Sequence, residues 1–290
     1  MRVLAALTAL SLAAASCERA PPSLPPGVGT TPVSAGAPVA TDSPAAGPPA
    51  AAASTAPPAP PALASVQPLV ELAVEGWAPA VVSLPLGATG PRPIVLATHG
   101  NYDRPEWQCE VWRGIVGDRA FILCPRGLAR KDSPSADDIR FTYANNAELE
   151  KEIDAGLAAL RARWAGFVAD GPILYTGFSL GAIMGVAIAA RGEGPARYPR
   201  MILVEGGYDR WTAGNLNGFT RQGGERRILF ACGGPGCMQG AKVSARALEQ
   251  RKVQTRVVGA VKSGHTYDGA VAGEVKAAFA WVIEGDARWK

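Results

Sequence analysis

Histidine is almost absent from this sequence, and no block of basic charge is present. There are two histidines in 290 residues, and 29 lysines and arginines stand against 25 aspartates and glutamates, for a formal net charge of +4. The sequence also has no stacked-aromatic pattern and no zinc-finger pattern, the other features typical of nucleic-acid binding. We therefore expect no nucleic-acid partner.

Long apolar runs are lacking as well. Residues 1–16, "MRVLAALTALSLAAAS", have a charged start, an apolar run and a small-residue end. The apolar run has roughly a dozen residues, which is typical of a secretory signal peptide and too short to cross a bilayer. The next residue, Cys17, resembles the lipidated cysteine of bacterial lipoproteins, although Ala14 stands where leucine is usual. We expect an exported protein, either a lipoprotein of the outer membrane or cell surface, anchored only through Cys17, or a periplasmic or secreted protein.

Residues 17–66 are composed almost entirely of alanine, proline, serine, threonine and glycine after the first few positions. Such a segment cannot bury enough apolar area to offset the entropy lost on ordering it. We predict a disordered tether over residues 17–66 and a single globular domain over residues 67–290.

Cysteine is scarce, with four residues after Cys17. An even number in an exported chain indicates two disulfides, and four cysteines permit three connectivities. The local spacing favours Cys109 with Cys124 and Cys232 with Cys237. Zinc is the weaker alternative, because neither pair has the usual two-residue spacing and the histidines lie elsewhere. We expect no metal.

From residue 67 onwards, apolar strands alternate with helices. Runs that are apolar on both faces suit the interior strands of a parallel sheet covered by helices. The predicted strands are "LVELAVEGW", "AVVSLPLG", "PIVLATHG", "AFILCPRG", "PILYTGFS", "MILVEGG", "ILFACGG" and "TRVVGAVKSGH". Apolar spacings of three or four residues and polar outer faces predict helices at "AELEKEIDAGLAALRARW", "AKVSARALEQRK" and "GEVKAAFAWVIEG". The alternation predicts one α/β domain with a doubly wound, mostly parallel sheet of about eight strands and helices on both faces.

One short motif indicates chemistry. Gly177-Phe178-Ser179-Leu180-Gly181 fits the pattern G-x-S-x-G and lies between a predicted strand and a small-residue helix. In that context the serine stands on a strained turn, with its hydroxyl clear of the sheet, and acts as a nucleophile. The alternative is a serine that only caps a helix.

The two histidines lie where a serine nucleophile needs support. His265 follows the last predicted strand, downstream of Ser179, and is the candidate general base. Its alternative role is a cap of the final helix. His99 follows the third predicted strand, and we expect it to be a scaffold residue and not the base.

The loop that begins at His99 is the candidate oxyanion loop. In a hydrolase of this type one backbone N–H comes from this loop and one from the residue after the nucleophile. We assign the N–H groups of Asn101 and Leu180, with Tyr102 as the alternative donor to Asn101.

With these parts in this order, the chain resembles the α/β-hydrolase superfamily over about residues 67–290. Within it, "HGNYDRPEW", "CPRG", "DDIRF" and "TGFSLGA" are most similar to the dienelactone hydrolase and polyhydroxyalkanoate-depolymerase or feruloyl-esterase group. The resemblance implies a serine hydrolase of carboxylic esters, which needs no cofactor. Residues 208–227, between the sixth and seventh predicted strands, are too few for a large cap domain. We therefore expect an open site for a small soluble ester or an exposed polymer end.

The acid that should orient His265 is missing from its usual place, since "ILFACGGPGCMQGAK" after the seventh strand contains no Asp or Glu. Glu205 is the first candidate, because it directly follows the sixth strand and should emerge at the carboxyl edge of the sheet. Asp209 is the alternative acid. Asp268, or no acid at all, are the remaining options.

Two other functions remain open from the sequence alone. A peptidase or amidase would use the same residues. A surface-displayed binding module with a decayed site would also fit, and the missing acid is its main support.

Overall fold

A computed structural model of the protein describes residues 61–290. The predicted signal peptide, the candidate lipidation site Cys17 and most of the predicted tether lie outside the described residues, so these stay predictions. Within residues 61–290, no helix is both long enough and apolar enough to cross a membrane.

The described part of the chain contains ten strands and six α-helices. In chain order they are β1 (Leu69–Leu72), β2 (Ala80–Ser83), β3 (Ile94–Thr98), α1 (Pro105–Val116), β4 (Phe121–Cys124), β5 (Leu128–Ala129), β6 (Phe141–Thr142), α2 (Asn146–Arg163), β7 (Leu174–Phe178), α3 (Leu180–Arg191), β8 (Arg200–Val204), α4 (Ala213–Arg221), β9 (Arg227–Cys232), α5 (Pro235–Glu249), β10 (Gln254–Gly259) and α6 (Gly269–Ile283). Short 3₁₀ turns cover Gly117–Arg119, Tyr208–Arg210 and Ala287–Trp289.

Eight of these strands form one sheet in the order β1-β2-β4-β3-β7-β8-β9-β10. The pairs β1–β2 and β2–β4 are antiparallel, and every other neighbouring pair is parallel. The predicted α/β fold with a mostly parallel sheet of about eight strands is therefore confirmed. Because β3, β7, β8, β9 and β10 run in the same direction, the loops after them meet at one edge of the sheet.

Alternate residues of each central strand point to opposite faces of the sheet. In β3, Leu96 packs with α2 and α3 on one face, whereas Val95 packs with α1 and α6 on the other. All five residues of β3 are buried. Burial on both faces explains why these strands are continuous apolar runs in the sequence.

Three elements and one boundary differ from the sequence-based expectation. The helices α1 and α4 and the two-stranded β5–β6 hairpin were not predicted. The domain also begins before residue 67, because Leu63 is buried and exchanges two backbone hydrogen bonds with residues 87 and 88. A lone leucine within an Ala/Pro-rich segment gives no periodic signal that would reveal this contact.

Both predicted disulfides are present. Cys109 in α1 is bonded to Cys124 at the end of β4, and Cys232 at the end of β9 is bonded to Cys237 in the first turn of α5. All four cysteines are buried. The first bond attaches a helix to the sheet. The second joins two cysteines that are five positions apart, at the edge where the parallel strands end.

Replacing Cys109 and Cys124 together by alanine should lower the free energy of unfolding by about 3 kcal/mol, because a cross-link across roughly 15 residues removes that much loop entropy from the unfolded chain. The shorter Cys232–Cys237 loop should contribute less, about 2 kcal/mol by the same relation. Urea unfolding of the two double variants measures the difference. Equal losses, or a larger loss for the shorter loop, would contradict this account.

Candidate active site

Ser179 lies on a strained turn between β7 and α3. Its backbone has φ 48° and ψ −111°, a conformation that residues with side chains rarely adopt. A Cβ atom on Gly177 would lie 2.7 Å from the Ala182 nitrogen, and one on Gly181 would lie 2.5 Å from the Thr98 hydroxyl. The two glycines of the motif are therefore required by close approach, as the sequence pattern indicates.

The Ser179 hydroxyl does not cap α3, since its side chain accepts no N–H group of the helix. It lies 2.9 Å from Nε2 of His265, on the loop between β10 and α6. The other ring nitrogen of His265, Nδ1, lies 3.1 Å from Oε2 of Glu205. We call Ser179, His265 and Glu205 the triad. With Nδ1–H donating to the carboxylate, Nε2 carries a lone pair toward the serine hydroxyl.

Glu205 is the least exposed ionisable member of the triad. Its side chain is 8% exposed, against 58% for His265. It follows β8 directly with a positive φ of 49°, and its other oxygen, Oε1, accepts the N–H groups of Gly233 (2.5 Å) and Gly234 (2.9 Å). The carboxylate is therefore satisfied by backbone donors on one side and by the imidazole on the other.

The other candidate acids lie elsewhere. Asp209 belongs to the exposed 3₁₀ turn after β8 and pairs with Arg210 at 3.3 Å. Asp268 precedes α6 and accepts the hydroxyl of Thr266. The structure thus brings Glu205, and neither Asp209 nor Asp268, to the His265 ring.

The candidate oxyanion loop lies against the serine turn. The Gly181 N–H donates to the carbonyl of His99 at 3.1 Å, which joins the two segments. Within residues 61–290 the N–H groups of Asn101 and Leu180 donate to no acceptor, as an oxyanion donor requires. The alternative donor, the N–H of Tyr102, is not available for an oxyanion, because it donates to the carbonyl of Phe141 at 3.0 Å.

His99 is buried beneath this loop, in the place expected of a scaffold residue. Its ring stacks on Tyr143 with centroids 4.3 Å apart, and its two nitrogens lie 2.7 Å and 2.9 Å from the carbonyls of Gly100 and Arg126. Burial lowers the pKa of the His99 imidazole, and the two carbonyls oppose that change.

Sequence reasoning missed one buried network beside the triad. The Asp103 carboxylate accepts the Gly100 N–H (3.2 Å), the Gln108 amide (3.3 Å) and the Tyr267 hydroxyl (3.0 Å). Burial and the Asp103 charge raise the pKa of Tyr267, so its hydroxyl stays protonated and donates. The available signal was proximity in sequence, since Asp103 closes the "HGNYD" motif and Tyr267 lies two residues after His265.

Among residues 61–290, one group of side chains has ligand atoms close enough together to hold a metal ion. The group is Glu205, Cys232 and Cys237, whose atoms lie within 4.8 Å of one another. The two sulfurs are bonded to each other and offer no thiolate. The donor set in this state therefore does not suit a zinc ion.

No protein-family model and no curated protein matches the sequence. Solved structures do match. Esterase PE8 has a TM-score of 0.52 at 16% identity, over 73% of this chain and all of that chain. The dienelactone hydrolase-like promiscuous phosphotriesterase P91, from metagenomic libraries, has 0.52 at 17% identity over 74% and 97% of the two chains. TT1662 from Thermus thermophilus has 0.51 at 16% identity over 75% and 98%. The chain has an α/β-hydrolase fold.

Replacing Tyr267 by phenylalanine should lower the free energy of unfolding by about 1–2 kcal/mol, because the buried Asp103 carboxylate loses one of its donors. The matched control is Tyr198→Phe, since the Tyr198 hydroxyl is buried without a hydrogen-bond partner in the described chain. That change should be neutral or slightly stabilising. Urea unfolding compares the two variants, and equal losses would show that the Tyr267–Asp103 bond contributes nothing of its own.

Proposed function

We propose that this protein is an exported serine hydrolase that cleaves carboxylic esters through an acyl-enzyme on Ser179. The observation that carries the proposal is the continuous series of contacts from the Ser179 hydroxyl through His265 to Glu205. A strained serine, a general base within hydrogen-bonding reach and a carboxylate that orients the base are the three parts that nucleophilic catalysis of acyl transfer needs.

The proposed reaction has two halves. Nε2 of His265 removes the Ser179 proton as the oxygen attacks the ester carbonyl, and the imidazolium then gives that proton to the leaving alcohol. In the second half, a water molecule gives a proton to the same nitrogen as its oxygen attacks the acyl-enzyme carbonyl. Nε2 then returns that proton to the Ser179 oxygen as the acyl–oxygen bond breaks and the acid product leaves. Glu205 keeps the proton on Nδ1 and stabilises the imidazolium during both halves.

The developing oxyanion needs preorganised donors. Among residues 61–290 the N–H groups of Asn101 and Leu180 have no acceptor. Each oxyanion donor of this kind is worth about 3 kcal/mol in the transition state of comparable reactions. The Asn101 side chain is further restrained, because its Oδ1 accepts a hydrogen bond from Nη1 of Arg130 at 2.8 Å.

The shape of the chain around the site favours accessible substrates. Between β8 and β9 there is one 3₁₀ turn and one nine-residue helix, α4. This segment is too short to enclose a long acyl chain. Small soluble esters and exposed polymer ends therefore fit the proposal best.

The Glu205–His265 contact counts against the inactive binding module, because that alternative depended on a missing acid. A peptidase or amidase would use the same triad, and no contact in the described residues favours amides. Parallel panels of esters and amides separate these two activities.

Ser179→Ala should abolish turnover of a short-chain nitrophenyl ester, with a loss of at least about 10⁴-fold in kcat/KM. The melting temperature should stay nearly unchanged, because the Ser179 side chain makes no bond to the α3 backbone. Ser65→Ala, at a half-buried position far from the triad in sequence, is the matched control and should keep full activity. Retained turnover in Ser179→Ala would rule out the proposed nucleophile.

Glu205→Gln should lower kcat by roughly 10²–10⁴-fold, since a neutral amide no longer stabilises the imidazolium or fixes the tautomer. Asp209→Asn is the matched control, because Asp209 is exposed and paired with Arg210, and it should keep wild-type rates. Steady-state kinetics on the same ester compares kcat of the two variants. Wild-type kcat in Glu205→Gln would exclude Glu205 as the acid.

A further inference from the structure

The segment between Cys232 and Cys237 contacts the acid of the triad. Its first two residues, Gly233 and Gly234, donate their N–H groups to Oε1 of Glu205 at 2.5 Å and 2.9 Å. Within the described residues, no lysine or arginine pairs with Glu205. The direction of the carboxylate therefore depends on where this backbone lies.

The same segment also contacts the loop that carries the base. The carbonyl of Gly233 accepts the Gly264 N–H at 2.9 Å, and the carbonyl of Cys232 accepts the Ala260 N–H at 2.9 Å. Gly264 is the residue directly before His265. A Cβ atom on Gly233 would lie 2.1 Å from the Gly264 carbonyl oxygen, so the two backbones touch. Gly233 is thus bonded to the acid through its N–H and to the base loop through its carbonyl.

The glycine content of this segment means that its backbone needs a cross-link or other contacts to stay in one conformation. Its sequence is Cys-Gly-Gly-Pro-Gly-Cys, so three of the four residues between the cysteines are glycine. Glycine has the greatest backbone freedom of all residues and loses the most entropy when it is held in one conformation. The disulfide joins the end of β9 to the first turn of α5 and so fixes both ends of the segment.

We propose that the Cys232–Cys237 disulfide is a positioning element of the triad, which holds the Gly233 backbone on Glu205 and on the loop of His265. The inference rests on the proposed function. Loss of the cross-link lets the donors drift from Oε1, and the carboxylate then no longer holds the imidazole in line with Ser179. Small misplacements of this kind lower the rate of the chemical step far more than they lower substrate binding.

The first test compares the two disulfides. Cys232→Ala/Cys237→Ala should lower kcat for the nitrophenyl ester by roughly 10–100-fold and leave KM within about twofold. The Cys109→Ala/Cys124→Ala variant is the matched control and should keep wild-type kcat at a temperature where it is folded, although it loses more stability. A wild-type kcat in the first variant, or an equal loss of kcat in both, would overturn the proposal.

The second test leaves both disulfides intact. Gly233→Ala places a methyl group against the Gly264 carbonyl, and we expect the same loss of kcat with unchanged KM. The control is Gly236→Ala in the same segment, because a Cβ atom there meets no other atom within 4 Å. This pair tests the proposal even if the double cysteine variant does not fold. Wild-type kcat in Gly233→Ala would overturn it.

A spectroscopic measurement distinguishes failure of the inference from failure of the proposed function. The proton on Nδ1 of His265, bonded to Glu205, should give a downfield resonance in the NMR spectrum of the wild-type protein. The resonance should be lost or shifted in Cys232→Ala/Cys237→Ala and retained in Cys109→Ala/Cys124→Ala. If the wild type hydrolyses no ester and Ser179 reacts with no fluorophosphonate, the proposed function fails, and this resonance still tests the positioning role. An unchanged resonance in the first variant refutes that role.

Discussion

A largely buried carboxylate that pairs with no lysine or arginine among residues 61–290 is the constraint on which the rest of the site depends. Glu205 emerges from β8 with a left-handed backbone conformation, and each of its two oxygens faces a different neighbour. Burying such a charge is expensive unless hydrogen bonds replace the lost water. Two backbone N–H groups and one imidazole provide those bonds, and all three come from segments that follow other strands.

The strand order explains how these segments come together. β7 lies between β3 and β8, and β9 and β10 follow next in the sheet. All five strands are parallel, so the residues after them meet at one edge: Asn101 after β3, Ser179 after β7, Glu205 after β8 and Gly233 after β9. Ser179 is thus one strand away from the loop of Asn101 on one side and from Glu205 on the other.

Much of this arrangement could be predicted from the sequence, because it follows from local patterns. The glycines around Ser179, the position of His265 after the last strand and the position of Glu205 directly after an apolar run each indicate where a side chain emerges. The spacing of the cysteines likewise indicated both disulfides. Each of these signals lies within a short stretch of sequence, so the predictions required no knowledge of contacts between distant residues.

The parts that could not be predicted depend on contacts between distant residues. The bond between Asp103 and Tyr267 joins positions 164 residues apart, and neither residue type nor spacing identifies such a pair. Which backbone N–H groups of the loop after β3 lack an acceptor also depends on contacts between distant residues. Tyr102 was an acceptable donor in the sequence, but its N–H is taken by Phe141, a residue of a hairpin that gives almost no periodic signal because each strand has only two residues.

The placement of His265 depends both on its local position after β10 and on contacts with residues distant in the sequence. Its side chain is the most exposed of the triad and lies on a loop, where a side chain is free to adopt several rotamers. The loop is held on both sides of the histidine, by the Gly264 N–H on the Gly233 carbonyl and by the Tyr267 hydroxyl on Asp103. The first bond leads to the segment that binds Glu205, and the second leads to the loop after β3, whose Gly100 N–H also bonds to Asp103. His265 is therefore positioned relative to both Glu205 and the loop of Asn101. Its own side chain contacts Glu205, Ser179 and the ring of Phe178.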